Sequence, residues 1–441
     1  MEGQVTDLLR RQDSEAVTWS NLLPLQSVVD IQVRHLPFTG SKKIVVVGTG
    51  YVGLPAAILL ANAGHHVLGV DINERVVNSI RRREPLLDEE ELSRLLKSDV
   101  VEKNLNASTE VGPGDIFVIA VPTPLHPTKR IAALEYLVSA VESILPHLQK
   151  GNLVIVESTI PPLTCRELVK PMIEAGTQFS VPEDIKLAHC PERILPGNMY
   201  HEIVNNDRII GGIDAESSAM AKDMYESFVK GDLIVTDDLT AELCKLMENT
   251  YRDVNIALTN EMSEVAETLG IDYGTALHLV NRHPRVSYLK PGIGVGGHCI
   301  PLDPWFIREV DPLNTRIIDV SRTINEGRPE KMAKKIRKKL AGVASPKIVA
   351  VGATYKPDVD DCRESPASEI VHLLKDDGYD VAHYDPLVPA MAYASLESIA
   401  KDADLLVVLV PHQVVLKDIE NHRRSIEAVM RTPIVWVPFD Y

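Results

Sequence analysis

The run PGIGVGGHCIPLD (residues 291–303) sets four glycines ahead of Cys299 and an acid, Asp303, four positions beyond it. Such a backbone can fold closely around a ligand, leave the sulfur at its tip and turn free amides toward an anion. A thiol framed in this way is a candidate nucleophile. The other cysteines, Cys165, Cys190, Cys244 and Cys362, have no such frame and read as small apolar residues. A second group lies in AELCKLMENTYR (241–252), where Lys245, Asn249 and Arg252 are spaced four and three apart and share a face if the segment is helical. A lysine beside an asparagine suits an alkoxide or oxyanion, although the same stripe is ordinarily a solvated face. A third is GTGYVG, Gly48 to Gly53, which opens a tight turn for backbone N–H groups to meet a pyrophosphate.

Each of these needs an element to hold it. Lys43 to Val47 is a β-branched run of the kind a parallel strand buried on both faces requires, and it leads straight into the glycine turn and an apolar helical stretch to Ala63. A strand from His66 to Val70 ends at Asp71, which lies 18 residues past Gly53 and suits the hydroxyls of an adenosine ribose. An acid there disfavours a 2′-phosphate, so NAD is the expected cofactor. Arg75, one turn on, could touch its phosphate. Asp115 to Val121 reads as a further strand, and the alternation is that of a doubly wound α/β sheet.

Beyond about residue 237 the pattern turns helical. Leu239 to Leu269 contains neither Gly nor Pro, and helical periods continue at Tyr273 to Val280 and Thr315 to Lys339. Past the linker GVASP (342–346), Lys347 to Gly352 echoes Lys43 to Gly48, and ADLLVVLVP (403–411) echoes GDIFVIAVP (114–122). The expected architecture is two Rossmann-like doubly wound domains joined by a long central helix and helical bridge. Its segments are an extension (1–41), an NAD-binding domain (42–237), a central helical domain with the cysteine loop (238–341) and a C-terminal domain (342–441). The second echo lacks the later glycines, which points to a ligand other than a dinucleotide. Residues Arg282, His283, Arg285, Lys290, Lys356 and Arg363 supply positive charge in loop-like stretches, as a diphosphate would demand.

Net charge is 46 − 62 = −16, spread along the chain, which argues against nucleic acid or an anionic membrane as partner. Five widely spaced cysteines without a C-x-x-C pair argue against a disulfide framework or structural zinc and favour a reducing cytoplasm. No stretch of about 18 apolar residues occurs.

From about Lys42 to the C-terminus the chain resembles the UDP-glucose/GDP-mannose dehydrogenase superfamily. The resemblance rests on Gly48 to Gly53, VESTIP (156–161), PER (191–193), Lys245 with Asn249, the Cys299 loop and YKPDVDDCRESP (355–366), in that order. Within it, CPERILPG (190–197), NRHPRV (281–286) and GHCIPLDPW (297–305) look most like the UDP-N-acetyl-D-mannosamine dehydrogenases. Besides the glycines of the turn, Gly48, Gly50 and Gly53, the resemblance implies cofactor contacts at Tyr51, Val52, Asp71, Thr123, Thr159 and Arg363. It implies substrate contacts at Arg193, Ile194, Lys245, Asn249, Arg252, His283, Arg285, Gly296, Tyr355 and Lys356, some across a homodimer interface built on the long helix. The UDP-glucose branch carries a second acid where this chain has Pro196, and a lysine where it has Leu302. That leaves Asp303 as the candidate for activating water.

The implied reaction is a four-electron, NAD-dependent oxidation of a UDP-hexosamine at C6, through a thiohemiacetal and a thioester on Cys299. UDP-N-acetylglucosamine and UDP-glucose are the alternative substrates, and an NAD-binding regulatory protein with a decayed site is the alternative of another class. An epimerase or dehydratase would need Tyr-x-x-x-Lys, which none of the 12 tyrosines begins.

Overall fold

The computed structural model describes residues 40–87, 89–194 and 197–438; the expected extension lies outside them except for its last two residues. The chain forms two compact units that divide between Leu246 and Met247.

The first unit is built on eight strands: β1 (Lys43–Val47), β2 (His66–Val70), β3 (Leu105–Ser108), β4 (Ile116–Ile119), β5 (Leu153–Val156), β6 (Lys186–His189), β7 (Arg208–Gly212) and β8 (Leu233–Asp237). Their order is β3-β2-β1-β4-β5-β6-β7-β8. All neighbours pair in parallel except β6 and β7, whose antiparallel register brings His189 opposite Gly211. In β1 Ile44 to Val47 are all buried, as a strand covered on both faces must be. Helix α1 (Gly53–Asn62) follows at once and is buried from Gly53 to Ala61, with Leu54, Ala57, Ile58, Leu60 and Ala61 in one cluster with Ile44, Val46 and Val118, and Leu59 in another with Leu92 and Met199. Each fully buried Leu, Ile or Val there contributes about 1.5–3 kcal/mol. The expected strand Asp115 to Val121 is shorter, and at its far end the backbone is diverted to a side chain. Asp115 accepts the N–H of Lys43 at 2.8 Å, and the N–H of Val121 goes to Ser158 Oγ at 2.9 Å.

Helix α2 (Ala215–Glu226) packs on β7 and β8, and α3 (Asp238–Leu269) follows β8 directly, within one residue of the expected start. It runs 32 residues, across the division between the units, and ends at Gly270, whose φ of +70° suits a glycine after a helix.

The second unit continues with α4 (Tyr273–Val280), α5 (Asp303–Val310), α6 (Arg316–Glu326) and α7 (Arg328–Lys339). The helical period from Thr315 to Lys339 is thus two helices, not one. Gly327 breaks it, and Pro329, which lacks an N–H, sits in the first turn of the second. Strands β9 (Lys347–Val351), β10 (Asp380–Tyr384), β11 (Leu405–Val408) and β12 (Ile434–Trp436) form an all-parallel sheet in the order β10-β9-β11-β12. Ile348 and Ala350 face Ile336 and Ile370, while Val349 and Val351 face Ile399 and Ile419, so both sides of this sheet are covered. Among the described residues no helix is long and apolar enough to cross a membrane.

Candidate active site

In the first unit the chemistry gathers where the strand order reverses, at the C-terminal ends of β1 and β4, which is where open α/β sheets bind ligands. Gly48 has φ +90°, and a Cβ on it would meet the Ala120 carbonyl at 2.5 Å. A Cβ on Gly53 would strike the Gly48 carbonyl, so this glycine is required for α1 to leave the turn. Gly50 instead faces open space within 4 Å, the room a pyrophosphate needs. The half-buried Asp71 accepts from Thr49 N–H at 3.0 Å and Thr49 Oγ1 at 3.1 Å, and from Asn73 N–H at 2.9 Å. It therefore ties the turn to the end of β2 before any ligand arrives. Tyr51 and Val52 flank the start of α1, and Arg75 is exposed, its N–H held by Asn73. Across the crevice Thr123 Oγ1 donates to the Thr159 carbonyl at 2.6 Å, joining the segments that follow β4 and β5. The turn geometry, the open Gly50 and the placed carboxylate fit NAD.

Arg193 donates to the Asp207 carbonyl, and Ile194 packs beside Met199 and Ile203. Lys245 is buried. Behind these lies a buried cluster that no local pattern had suggested. Arg208 on β7 reaches Glu157 at 3.0 Å and Glu192 at 2.5 Å. It lies over the ring of Tyr225, 4.2 Å from the centroid, and the Tyr225 hydroxyl donates to Glu157 at 2.5 Å. Burial drives the Glu157 carboxyl up to about 7 against the pull of Arg208. VESTIP and PER each supply one carboxylate to the same guanidinium, a link visible only once β5, β6 and β7 are side by side.

Of the cysteines, Cys165 and Cys190 are buried, and burial pushes the Cys190 thiol to about 12. Cys244 and Cys362 are half-buried, less enclosed than a core residue would be.

In the second unit Cys299 stands just before α5, its carbonyl accepting the N–H groups of Leu302 and Asp303 at 3.0 Å each. Asp303 is buried at the head of that helix and accepts the Asn249 amide at 2.6 Å. The glycine loop lies on the C-terminal sheet's own loops. A Cβ on Gly296 would strike the Glu364 carbonyl, and one on Gly297, at φ +84°, would meet the Tyr355 ring at 2.9 Å. Cys299, Asp303, Asn249 and Tyr355 thus belong to one packed arrangement. Arg252, His283 and Arg285 are exposed. Lys356 lies 5.8 Å from the Tyr355 ring centroid, and Arg363 is engaged by Asp361 at 2.6 Å while its carbonyl accepts the Gly297 N–H at 3.3 Å.

Three family models match in succession: the UDP-glucose/GDP-mannose dehydrogenase family NAD binding domain over residues 42–229, the central domain over 239–327 and the UDP binding domain over 349–436. The chain belongs to the UDP-glucose/GDP-mannose dehydrogenase family. It is accordingly an NAD-dependent oxidoreductase. It is 46% identical to a UDP-N-acetyl-D-mannosamine dehydrogenase of Methanocaldococcus jannaschii, over 84% of this chain and 86% of that one. An NDP-N-acetyl-D-galactosaminuronic acid dehydrogenase of Ralstonia solanacearum is 40% identical, over 90% and 96%. The solved UDP-D-ManNAc dehydrogenase of Pyrococcus horikoshii superposes with a TM-score of 0.85 at 36% identity, covering 90% of this chain and 95% of its own. The family's NAD-binding segment takes in β1 to β7 of the eight-stranded sheet, and its UDP-binding segment the four-stranded sheet.

Proposed function

We propose that this family member oxidises UDP-N-acetyl-D-mannosamine at C6 to the uronate, with Cys299 as covalent nucleophile. The observation that carries the reading is Cys299 just before α5, on a glycine loop packed against Tyr355, with the half-buried Asn249 bonded to the buried Asp303 at the head of that helix. The identity to UDP-N-acetyl-D-mannosamine dehydrogenases supports the choice of sugar. Lys245 takes the proton of the C6 hydroxyl. NAD, when bound, accepts a hydride from C6 in each of the two oxidations. Between them the Cys299 sulfur adds to the aldehyde carbon, because an aldehyde becomes a good hydride donor only after addition. Lys245 and Asn249 stabilise the oxyanion of that thiohemiacetal. The second oxidation leaves a thioester; Asp303 accepts a proton from the water that cleaves it, releasing the carboxylate and the thiol.

In this reading Gly48, Gly50, Tyr51, Val52, Gly53, Asp71, Arg75, Thr123, Thr159 and Arg363 hold the cofactor. Arg193, Ile194, Arg252, His283, Arg285, Gly296, Tyr355 and Lys356 hold the nucleotide sugar. The test is Cys299→Ser: steady uronate formation should fall by at least about a thousandfold while the UDP-sugar still binds, and full turnover at two NADH per sugar would refute the nucleophile.

The protein acts as a homodimer in the cytoplasm. In the second unit α3 exposes Met247, Tyr251, Leu258, Val265 and Leu269 at helical spacing, an apolar stripe that a second copy would cover. Light scattering should give the mass of two chains, and a monomer at micromolar concentration would contradict the dimer.

A further inference from the structure

The polar side chains that α3 turns inward in the second unit form a connected set. Asp253, Thr259 and Asn260 are fully buried, and Arg322, Asn325 and Arg328 of α6 and α7 nearly so. Arg322 donates to the Asp253 carboxylate at 2.7 Å. Asn325 donates to the same carboxylate at 2.9 Å and to the Asp253 carbonyl at 3.0 Å. Asn260 in turn donates to the Asn325 amide oxygen at 3.0 Å. The chain of bonds ends on the backbone that leads to Cys299. Asn260 Oδ1 accepts the Gly292 N–H at 2.9 Å, and Arg328 Nε donates to the Gly292 carbonyl at 2.9 Å. Next to Asn260, the Thr259 hydroxyl donates to the Leu289 carbonyl at 2.7 Å.

Burying so many polar groups is costly, the more so as Asp253 Oδ2 and Arg322 Nε have no hydrogen-bond partner among the described residues, and apolar side chains would hold α3, α6 and α7 together as well. Apolar packing would not fix one register of a glycine-rich segment whose own backbone has few restraints. A hydrogen bond to a particular N–H does.

We propose that Asn260 is a positioning residue for the oxidation: by holding Gly292 it sets the register of the glycine loop and so the place of Cys299. The proposal rests on the reading of Cys299 as nucleophile. Asparagine suits the task because one planar group offers the acceptor that Gly292 needs and the donor that Asn325 needs.

The test compares two stems in the full chain. Asn281 closes the neighbouring loop, which carries His283 and Arg285, by bonding both the N–H of Tyr288 at 2.7 Å and its carbonyl at 3.0 Å. Asn260→Ala should lower kcat about tenfold or more with KM for the UDP-sugar within about twofold. It should also change the rate at which iodoacetamide alkylates Cys299, read site by site in a mass spectrometer without cofactor. Asn281→Ala should show the opposite split, a raised KM with kcat and Cys299 alkylation retained. Should Asn260→Ala fold poorly, Thr259→Val keeps the shape, removes the stem bond to Leu289 together with the one shared with the Tyr273 hydroxyl, and should lower kcat about threefold, a loss that Tyr273→Phe alone should not reproduce. A folded Asn260→Ala with the parent kcat and Cys299 alkylation overturns the proposal, as does a loss of kcat matched by an equal rise in KM. If Cys299→Ser turns over fully, the nucleophile reading fails whatever Asn260 does; if Cys299→Ser is dead and Asn260→Ala is unimpaired, only the positioning role falls.

Discussion

The two sheets build the same ladder of bonds around an aspartate in the same position, Asp71 in one and Asp385 in the other, and do different things with it. Gly48 and Gly352 leave their strands at φ +90° and +93° and donate to the last carbonyls of β2 and β10, Val70 at 2.8 Å and Tyr384 at 2.7 Å. Thr49 N–H meets Asp71 at 3.0 Å as Ala353 N–H meets Asp385 at 2.7 Å. Asn73 and Leu387 complete each carboxylate at 2.9 Å. Even the strand starts agree, with Lys43 N–H on Asp115 at 2.8 Å and Lys347 N–H on Asp404 at 2.9 Å. The difference is what stands in the crevice. Asp71 is half exposed beside the open Gly50, whereas Asp385 is fully buried and receives the ring of His412, also fully buried, at 2.9 Å. The other ring nitrogen of His412 accepts the Asp358 N–H at 2.9 Å, and the buried Thr354 takes the place that corresponds to Gly50. Burial works against the Asp385 charge, but His412 and two backbone N–H groups outweigh it and hold the carboxyl below its usual range. A crevice left open beside Asp71 in the first sheet is filled by the protein's own side chains in the second, where it braces the loop carrying Tyr355 and Lys356.

That contrast can be broken by exchanging each aspartate for its amide. Asp71→Asn should raise the dissociation constant for NAD about tenfold or more and narrow the preference over NADP, measured by fluorescence titration. Asp385→Asn should leave NAD affinity unchanged and destabilise the second unit by about 2 kcal/mol, seen as a lowered thermal midpoint and a raised KM for the UDP-sugar. Equal losses of NAD affinity in the two variants would mean that the sheets are not specialised as their crevices indicate.

The smallest effect concerns pH. The Glu157 carboxyl faces Arg208 on β7, Glu192 after β6 and Tyr225 on α2, with the Cys190 thiol close by. Its pKa is raised from 4.5 to about 7, so the folded state keeps a proton that the unfolded state has released. The contribution to stability is full below about 4.5 and is lost as pH rises through about 7. Glu157→Gln, an isostere of the protonated acid, should flatten this part of the profile and raise the thermal midpoint at pH 8 by about 2–4 °C. An unaltered slope between pH 5 and 8 would show that Glu157 is already ionised in the fold.

Much of this was legible before any coordinates. The β-branched runs at Lys43 and Lys347, the glycines after them and Asp71 are local signals, since strand burial, positive φ and strand-end acids each leave a mark within a few residues. The helix from Leu239 was equally plain, while the interruption at Gly327 was passed over because the apolar period continues on both sides of it. Cys299 was singled out by its glycines, and Asp303 by its nearness to Cys299. The residues that hold the sites in place were not legible. Arg208 meets Glu157 from 51 positions away, His412 meets Asp385 from 27 and Asn260 meets Gly292 from 32. A lone polar residue carries no mark of a partner that only tertiary packing brings to it.

The imidazole wedged against Asp385 has a consequence for supply and demand in solution. Of the two sheets, the first leaves open space at Gly50 and the second fills the matching place with Thr354 and His412. A dinucleotide is thereby turned away from the sheet that matches the family's UDP binding domain, and a uridine nucleotide meets no rival there.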